Sequence, residues 1–278
     1  MTERTELDLG GVPETMLWTL HNRASEASKA NGLLRDPRCV EIYRAIDYDY
    51  ERSFGAAGPS HAVRSSIFDR LIEAFLGEFP DAVLVNLGEG LETQRYRVAV
   101  PSTATWLSVD VPEAIAVRER FIEPDERHRH VPVSALDPAW IAEVPEGRPV
   151  FVTAQGLFMY LQPEALAELL RTLAAQRPAA HLAFDHIPAW FSEKSLSEKG
   201  LQKTAHYRLP PMPWGVAPRR VPETLAGWDL AFESCEAIPF PFLGSRGPGR
   251  WLHAVLSRIP GLRDGMFAIS RVSCLREA

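Results

Sequence analysis

Cysteine is scarce in this chain: Cys39, Cys235 and Cys274 are the only three in 278 residues, far apart and without a C-x-x-C pair. That argues against a disulfide framework and points to buried or idle thiols in a reducing compartment. No apolar stretch approaches the ~20 residues of a membrane span. The opening MTERTELDLGG lacks the hydrophobic core of a signal peptide. A cytoplasmic protein with no membrane partner is the expectation. Positive charge is scattered, the net charge is -6 and the sequence pI is about 5.8. A nucleic-acid partner, whose phosphates call for a basic stripe, is therefore not expected. Histidine, cysteine and acidic residues show no metal-ligand spacing, so no metal is expected either. His128 and His130, an i, i+2 pair, read as solvated side chains at a strand edge.

What is present is a regular alternation. With 46% hydrophobic residues the chain can bury one large core or two modest ones. Residues 15–23 and 24–34 pattern as helices, with Ser25, Glu26, Lys29 and Ala30 facing outward. Asp36-Pro37 opens another helix over 38–46, proline suiting its first turn. Across 62–79, Val63, Ile67, Leu71, Ile72, Phe75 and Leu76 recur at helical spacing. Strand-length runs then fall at 83–85, 105–109, 130–133, 150–154 and 181–185. Helical patterns at 112–122, 138–143 and 163–175 separate most of them. That rhythm predicts an α/β fold, a mostly parallel sheet with helices on both faces. Residues 187–220 depart from it, long and proline-rich, and read as a loop-and-helix cover over a pocket. The runs 230–238 and 266–273 fit a closing antiparallel pair.

The densest chemical signal lies at residues 82–97. Val83, Leu84 and Val85 are followed at once by Asn86, Leu87, Gly88, Glu89 and Gly90. Two glycines one residue apart allow a tight turn and bring bare backbone N–H groups against a ligand. A second strand ends in Asp110, twenty-two positions after Gly88. An acid there can accept hydrogen bonds from both hydroxyls of a ribose. Thr93 stands where a dinucleotide fold wants its third glycine, and no Tyr-x-x-x-Lys pair is present. A nicotinamide oxidoreductase is therefore disfavoured against a cofactor without a pyrophosphate, such as S-adenosyl-L-methionine.

Four ordered motifs extend this reading. The stretch Val85-Asn86-Leu87-Gly88-Glu89-Gly90-Leu91-Glu92-Thr93-Gln94-Arg95-Tyr96-Arg97 is like NLGAGLDTRxxR. Val109-Asp110-Val111-Pro112-Glu113 is similar to VDLPE, and Ser134-Ala135-Leu136-Asp137-Pro138-Ala139-Trp140 to SxLDPxW. Ala154-Gln155-Gly156-Leu157-Phe158-Met159-Tyr160-Leu161 is similar to AEGLLMYL, and Arg64 with Phe68-Asp69 to an upstream R-x-x-x-F/I-D. Over residues 33–256 the chain thus resembles the S-adenosylmethionine-dependent leucine carboxyl methyltransferase superfamily, within it the bacterial O-methyltransferases of polyketide tailoring. The resemblance implies a Rossmann-like class I methyltransferase fold, a seven-stranded, mostly parallel sheet with an added helical cover. It also implies one domain: a helical cover over 1–80, a cofactor core over 81–186, a lid-like insertion over 187–225 and C-terminal strands over 226–278.

By the same resemblance Arg64 holds the methionine carboxylate of the cofactor. Asn86, Gly88, Glu89 and Gly90 let its methionine part lie against the backbone. Asp110, with Val111 beside it, takes the ribose hydroxyls. Leu136 and Asp137 flank adenine, Asp137 either accepting from the exocyclic amine or capping a helix. Gln155, with Gly156, stands where the family has glutamate and keeps an acceptor oxygen without its charge. Glu89 could supply a replacement charge at the same turn. Tyr160 either sits near the transferring methyl or fills core.

Methyl transfer to a small-molecule acceptor follows. A carboxylate, ionised at neutral pH, needs no base, whereas a phenol with a pKa near ~10 does. The carboxylate is favoured. His186, just after the fifth strand, and His206, in the cover, are the candidates for a base should the acceptor be a hydroxyl. A non-catalytic protein of the same fold is the remaining reading, motivated by Gln155. Oligomeric state is not legible.

Overall fold

The computed structural model describes residues 5–6, 11–239 and 265–278. Four helices precede the main sheet: α1 (Thr15–Ala27), α2 (Pro37–Ala45), α3 (Tyr50–Phe54) and α4 (Ser60–Glu78), with two short paired strands, β1 (Thr5–Glu6) and β2 (Ile46–Asp47). The Asp36 carboxylate accepts from Cys39 N at 2.9 Å, so the aspartate caps α2 while Pro37 fills its first turn. The helix expected over 24–34 ends at Ala27 as the tail of α1. Glu26, expected outward, is buried, its carboxylate engaged by Lys29 and the Leu33 N–H.

Strands β3 (Val83–Leu87), β4 (Thr105–Asp110), β5 (His128–Pro132), β6 (Val150–Ala154) and β7 (Ala180–His186) are parallel. Helices α5 (Pro112–Glu119), α6 (Ala139–Ala142) and α7 (Pro163–Gln176) connect them. The order is β5-β4-β3-β6-β7-β10, with β10 (Ala268–Glu277) antiparallel to β7. The run expected over 230–238 is interrupted at Phe232 and Glu233 and becomes two strands, β8 (Leu230–Ala231) and β9 (Ser234–Pro239). Both pair antiparallel with β10, so the sheet has eight strands among the described residues, not seven. Part of the expected C-terminal segment, residues 240–264, lies outside the described residues.

Alternation along β3 explains the two layers. Val83, Val85 and Leu87 face α6 and α7 through Trp140, Ile141, Leu166, Leu170 and Leu173. Leu84 faces α4 through Ile67, Phe68, Ile72 and Phe75, with Trp106 and Phe151 from neighbouring strands. A third apolar cluster joins α1 to α3 with Met159, Ile187, Tyr207, Leu209 and Met212. It sits over the carboxyl ends of the parallel strands, the edge where such sheets bind ligands. Helix α8 (Ala189–Leu196) and α9 (Val221–Ala226) bracket the proline-rich stretch between them.

The order strand, glycine turn, helix, strand is the sequence expectation for residues 82–110, and its helix is absent. The glycine turn leads not into a helix but into a single 3-10 turn, Gln94–Tyr96. Arg118 Nη1 donates to the carbonyls of Gly90 and Glu92, 2.8 Å each, occupying acceptors a continuing helix would need.

Ala179, between α7 and β7, has φ 70°, while its N–H donates to Leu275 O at 2.9 Å. An L side chain is strained there. Ala179→Gly keeps the hydrogen bond and is expected to raise stability by about 0.5–1 kcal/mol in urea denaturation; a loss would contradict the assigned conformation.

Candidate active site

A cavity of about 950 Å³ opens over the ends of β3, β4, β6 and β7, roofed by α1, α8 and the segment around Leu209 and Met212. Its floor is the glycine turn. Gly88 and Gly90 have φ of 65° and 51°. A Cβ on Gly88 would lie 3.0 Å from Leu157, and one on Gly90 3.0 Å from Met16. Both positions thus need glycine for conformation and for space.

Beneath the turn lies a buried ionic cluster. Glu92 receives Arg23 (2.6 Å), Arg97 (2.8 Å) and Ser65 Oγ (2.8 Å). Arg97 also contacts Asp36 (2.5 Å) and Asp69 (2.9 Å). Burial alone would raise the Glu92 carboxyl, but Arg23 and Arg97 hold it below the usual carboxylate range. Glu89 does not supply a free charge to the cavity. Its buried carboxylate pairs with Arg118 (3.3 Å) and accepts from Trp106 Nε1 (3.2 Å).

Asp110, at the end of β4, accepts from Gly90 N (2.8 Å) and Val111 N (2.9 Å), one on each carboxylate oxygen. Each oxygen keeps a lone pair, and Asp110 and Val111 both line the cavity. Burial pushes its carboxyl up, against the pull of the two N–H groups and Arg118. Arg64 projects from α4, and Nη1 donates to Asp185 Oδ2 at 3.0 Å. Asp185 also accepts from Gly156 N at 2.5 Å. A Cβ on Gly156 would fall 2.7 Å from Arg64 Nη1, so that glycine makes room for the guanidinium. Asp185 was not singled out from sequence; an acid ending a strand was its only signal.

Gln155 Nε2 donates to Glu92 Oε2 (2.8 Å) and Ser65 Oγ (3.3 Å). The amide is thereby oriented, and its buried Oε1 has no partner among the described residues. Asn86 accepts from Thr153 Oγ1 and lines the same floor. Tyr160 is on the wall, its phenol pushed up to about 12 by burial, with Asp185 adding and Arg64 opposing.

Other sequence candidates lie elsewhere. Leu136 is exposed and Asp137 accepts from Ala139 N at 2.9 Å, so the aspartate caps α6. Neither borders the cavity; Ser134 and Ala135 do. His186 is fully buried, Nδ1 donating to Val216 O (3.0 Å) and Nε2 accepting from Ser270 Oγ (3.0 Å). It braces β7 against β10 and is no base toward the cavity. His206 is exposed and also outside the lining. His128, expected to be solvated, is buried against Ser108 Oγ at 3.0 Å. Sequence reasoning missed His61, Trp18 and four methionines as wall residues; of these only Met159 lies within a quoted motif.

Residues 17–174, more than half the chain, match the family model described as leucine carboxyl methyltransferase. The chain belongs to that family. A leucine carboxyl methyltransferase family member is an S-adenosyl-L-methionine-dependent methyltransferase. The tetracenomycin polyketide synthesis O-methyltransferase TcmP of Streptomyces glaucescens is 32% identical over 92% of this chain and 94% of its own. The S-adenosyl-L-methionine-dependent methyltransferase dpfgK of Gibberella zeae is 27% identical over 62% and 63%. A solved structure from Thermobifida fusca, described as a methyltransferase, superposes with a TM-score of 0.54 at 14% identity over 96% of this chain and 95% of that one. That similarity speaks to the fold. No helix among the described residues is long and apolar enough to cross a membrane.

The residues of this family member fit the cofactor. Arg64 Nε is buried without a partner among the described residues, Gln155 Oε1 likewise, and Asp110 has spare acceptor capacity. A carboxylate, an ammonium and two hydroxyls are what these three groups complement.

Because Gln155 Nε2 faces the Glu92 carboxylate, Gln155→Glu sets two buried carboxylates against each other. A destabilisation of about 3 kcal/mol is expected, rather than simply tighter cofactor binding. The exchange Gln155→Glu with Glu92→Gln should recover at least ~1 kcal/mol of the summed single losses. Additive losses in urea denaturation would break the coupling.

Burial lowers His186 to about 4. Below the unfolded value near ~6.5, the unfolded chain takes a proton that the native ring refuses. Stability therefore falls as pH drops from ~6.5 toward 4, by up to about 3 kcal/mol from this group. His186→Gln should show a shallower loss between pH 7 and 5 than the parent; parallel curves would refute the account.

Proposed function

We propose that the chain transfers the methyl group of S-adenosyl-L-methionine to a carboxylate oxygen of a large apolar small molecule. The cavity lining carries this reading. Met16, Met159, Met212 and Met266, every methionine after Met1, border it together with Trp18, Phe191 and Phe267. Thioethers are polarisable, adapt to irregular outlines and pack well on aromatic rings. A flat, polyketide-like body suits such walls, and the Streptomyces relative is named for polyketide synthesis.

The bound cofactor supplies a sulfonium-activated methyl group, whose transfer leaves a thioether that needs no proton. Arg64 and Gln155 hold its amino-acid end and Asp110 its ribose, over a floor of Gly88 and Gly90. Residues 187–225 act as the cover: Ile187, Phe191, Leu209 and Met212 close over the acceptor and exclude water. Ser192 Oγ ties α8 to Met212 O at 2.6 Å, holding that cover as one piece. Alignment and dehydration are then the chain's contributions to rate.

The side chains on the wall favour an acceptor that arrives ionised. His186 is sealed into the sheet and His206 lies outside. The Tyr160 phenol is held far above neutrality. Among the described residues His61 is the one histidine on the wall, and Asn22 occupies its Nδ1.

Asp110→Ala should weaken S-adenosyl-L-methionine by about 2 kcal/mol, since a charged acceptor of buried hydroxyls is lost. Unchanged affinity in calorimetry would remove the cofactor assignment. With a pool of aromatic polyketide acids, mass spectrometry should find products heavier by one methylene. Their formation should stay nearly flat from pH 6 to 9 and survive His206→Ala. A rate that climbs through a histidine-like pKa would instead establish hydroxyl methylation.

A further inference from the structure

The protonation of His61 is fixed by a chain of hydrogen bonds. Gly58 N donates to Asn22 Oδ1 at 3.0 Å. A backbone N–H can only donate, so this end of the amide is its carbonyl and Nδ2 is the donor. Nδ2 lies 2.8 Å from His61 Nδ1, which must therefore accept. In the neutral ring the proton is then on Nε2. Nε2 has no partner among the described residues, and His61 lines the cavity.

Its surroundings combine charged and aromatic side chains. His61 and Arg64 are three residues apart on α4 and both line the cavity, so they present neighbouring side chains about one helical turn apart. Trp18 meets the His61 ring edge-on, centroids 5.1 Å apart, and carries Lys203 Nζ 5.2 Å from its own centroid. Burial, Arg64, Arg23 and Lys203 push the imidazole well below its ordinary pKa, with Glu92 pulling the other way. The ring therefore stays neutral, with Arg64 and Arg23 beside it paired to Asp185 and Glu92.

We propose that His61 determines acceptor specificity as a fixed Nε2–H donor to an anionic oxygen, and is not a general base. The inference rests on the reading of the cavity as the acceptor site. A base at Nε2 would need the proton moved to Nδ1, where Asn22 offers a donor instead of an acceptor. The acceptor class that fits is an aromatic acid whose carboxylate approaches His61 Nε2 while its rings lie against Trp18 and the methionines.

Two measurements on the full chain test this. In protein labelled with 15N-histidine, with His61→Gln identifying the signal, long-range 1H–15N spectra should show Nε2 protonated and Nδ1 bare from pH 6 to 8. An Nδ1–H tautomer, or titration within that range, overturns the proposal. The second compares 2-naphthoate with naphthalene as probes by calorimetry. His61→Phe should lose ten-fold or more for naphthoate and little for naphthalene. Asn22→Asp, which accepts from Nδ1 and so leaves Nε2 bare in the neutral ring, should show the same selective loss with the imidazole retained, the 15N spectra establishing that the ring is neutral. Naphthoate binding undiminished in both variants overturns the His61 assignment alone. Failure of both probes to bind the parent chain overturns the acceptor-site reading on which it rests.

Discussion

The Glu92 carboxylate is the tie on which this structure depends. It collects Arg23 from α1, Ser65 from α4, Arg97 from beyond the glycine turn and Gln155 from the end of β6. Those four segments supply the roof, one wall and the floor of the cavity. A buried charge costs several kcal/mol unless it is paired and fully hydrogen-bonded. Here the pairing is dense, and Arg118 clasps the turn's carbonyls from below. The turn is thus set by side chains converging from distant sequence, which is why it does not wind into a helix.

The same network accounts for the departures from the family motif. Glu92 reaches further than the aspartate it replaces, and its Oε2 meets Gln155. A glutamate at 155 would face that carboxylate; an amide donates to it and leaves Oε1 for the cavity. Gln155 is thus hydrogen-bonded to Glu92 and oriented by it, not a simple loss of charge. A catalytically silent scaffold has no support from this position.

The histidines illustrate how burial divides roles. His186 spends both nitrogens on the sheet and its cover, and His128 is spent on Ser108 under Arg118. His61 has one nitrogen fixed and one left over. Residue type and strand position could nominate His186; only the partner of each nitrogen decides between brace and ligand contact.

Local pattern determined the class of this protein. The alternation of strand and helix, Pro37, Pro112 and Pro163 at helix starts, and the spacing from Gly88 to Asp110 are properties of contiguous chain. Hydrophobic period and backbone conformation are set within a few residues, so they are legible there. Tertiary structure decided the rest: that Asp185 pairs with Arg64 across 121 positions, that Asp137 caps rather than binds, and that Glu26 and Glu89 are buried. It also brought Met16, Met159, Met212 and Met266 from four separate segments to one wall. Ion pairs and cavity walls form between segments whose separation along the chain carries no periodic signal. Their partners are fixed only when the layers pack.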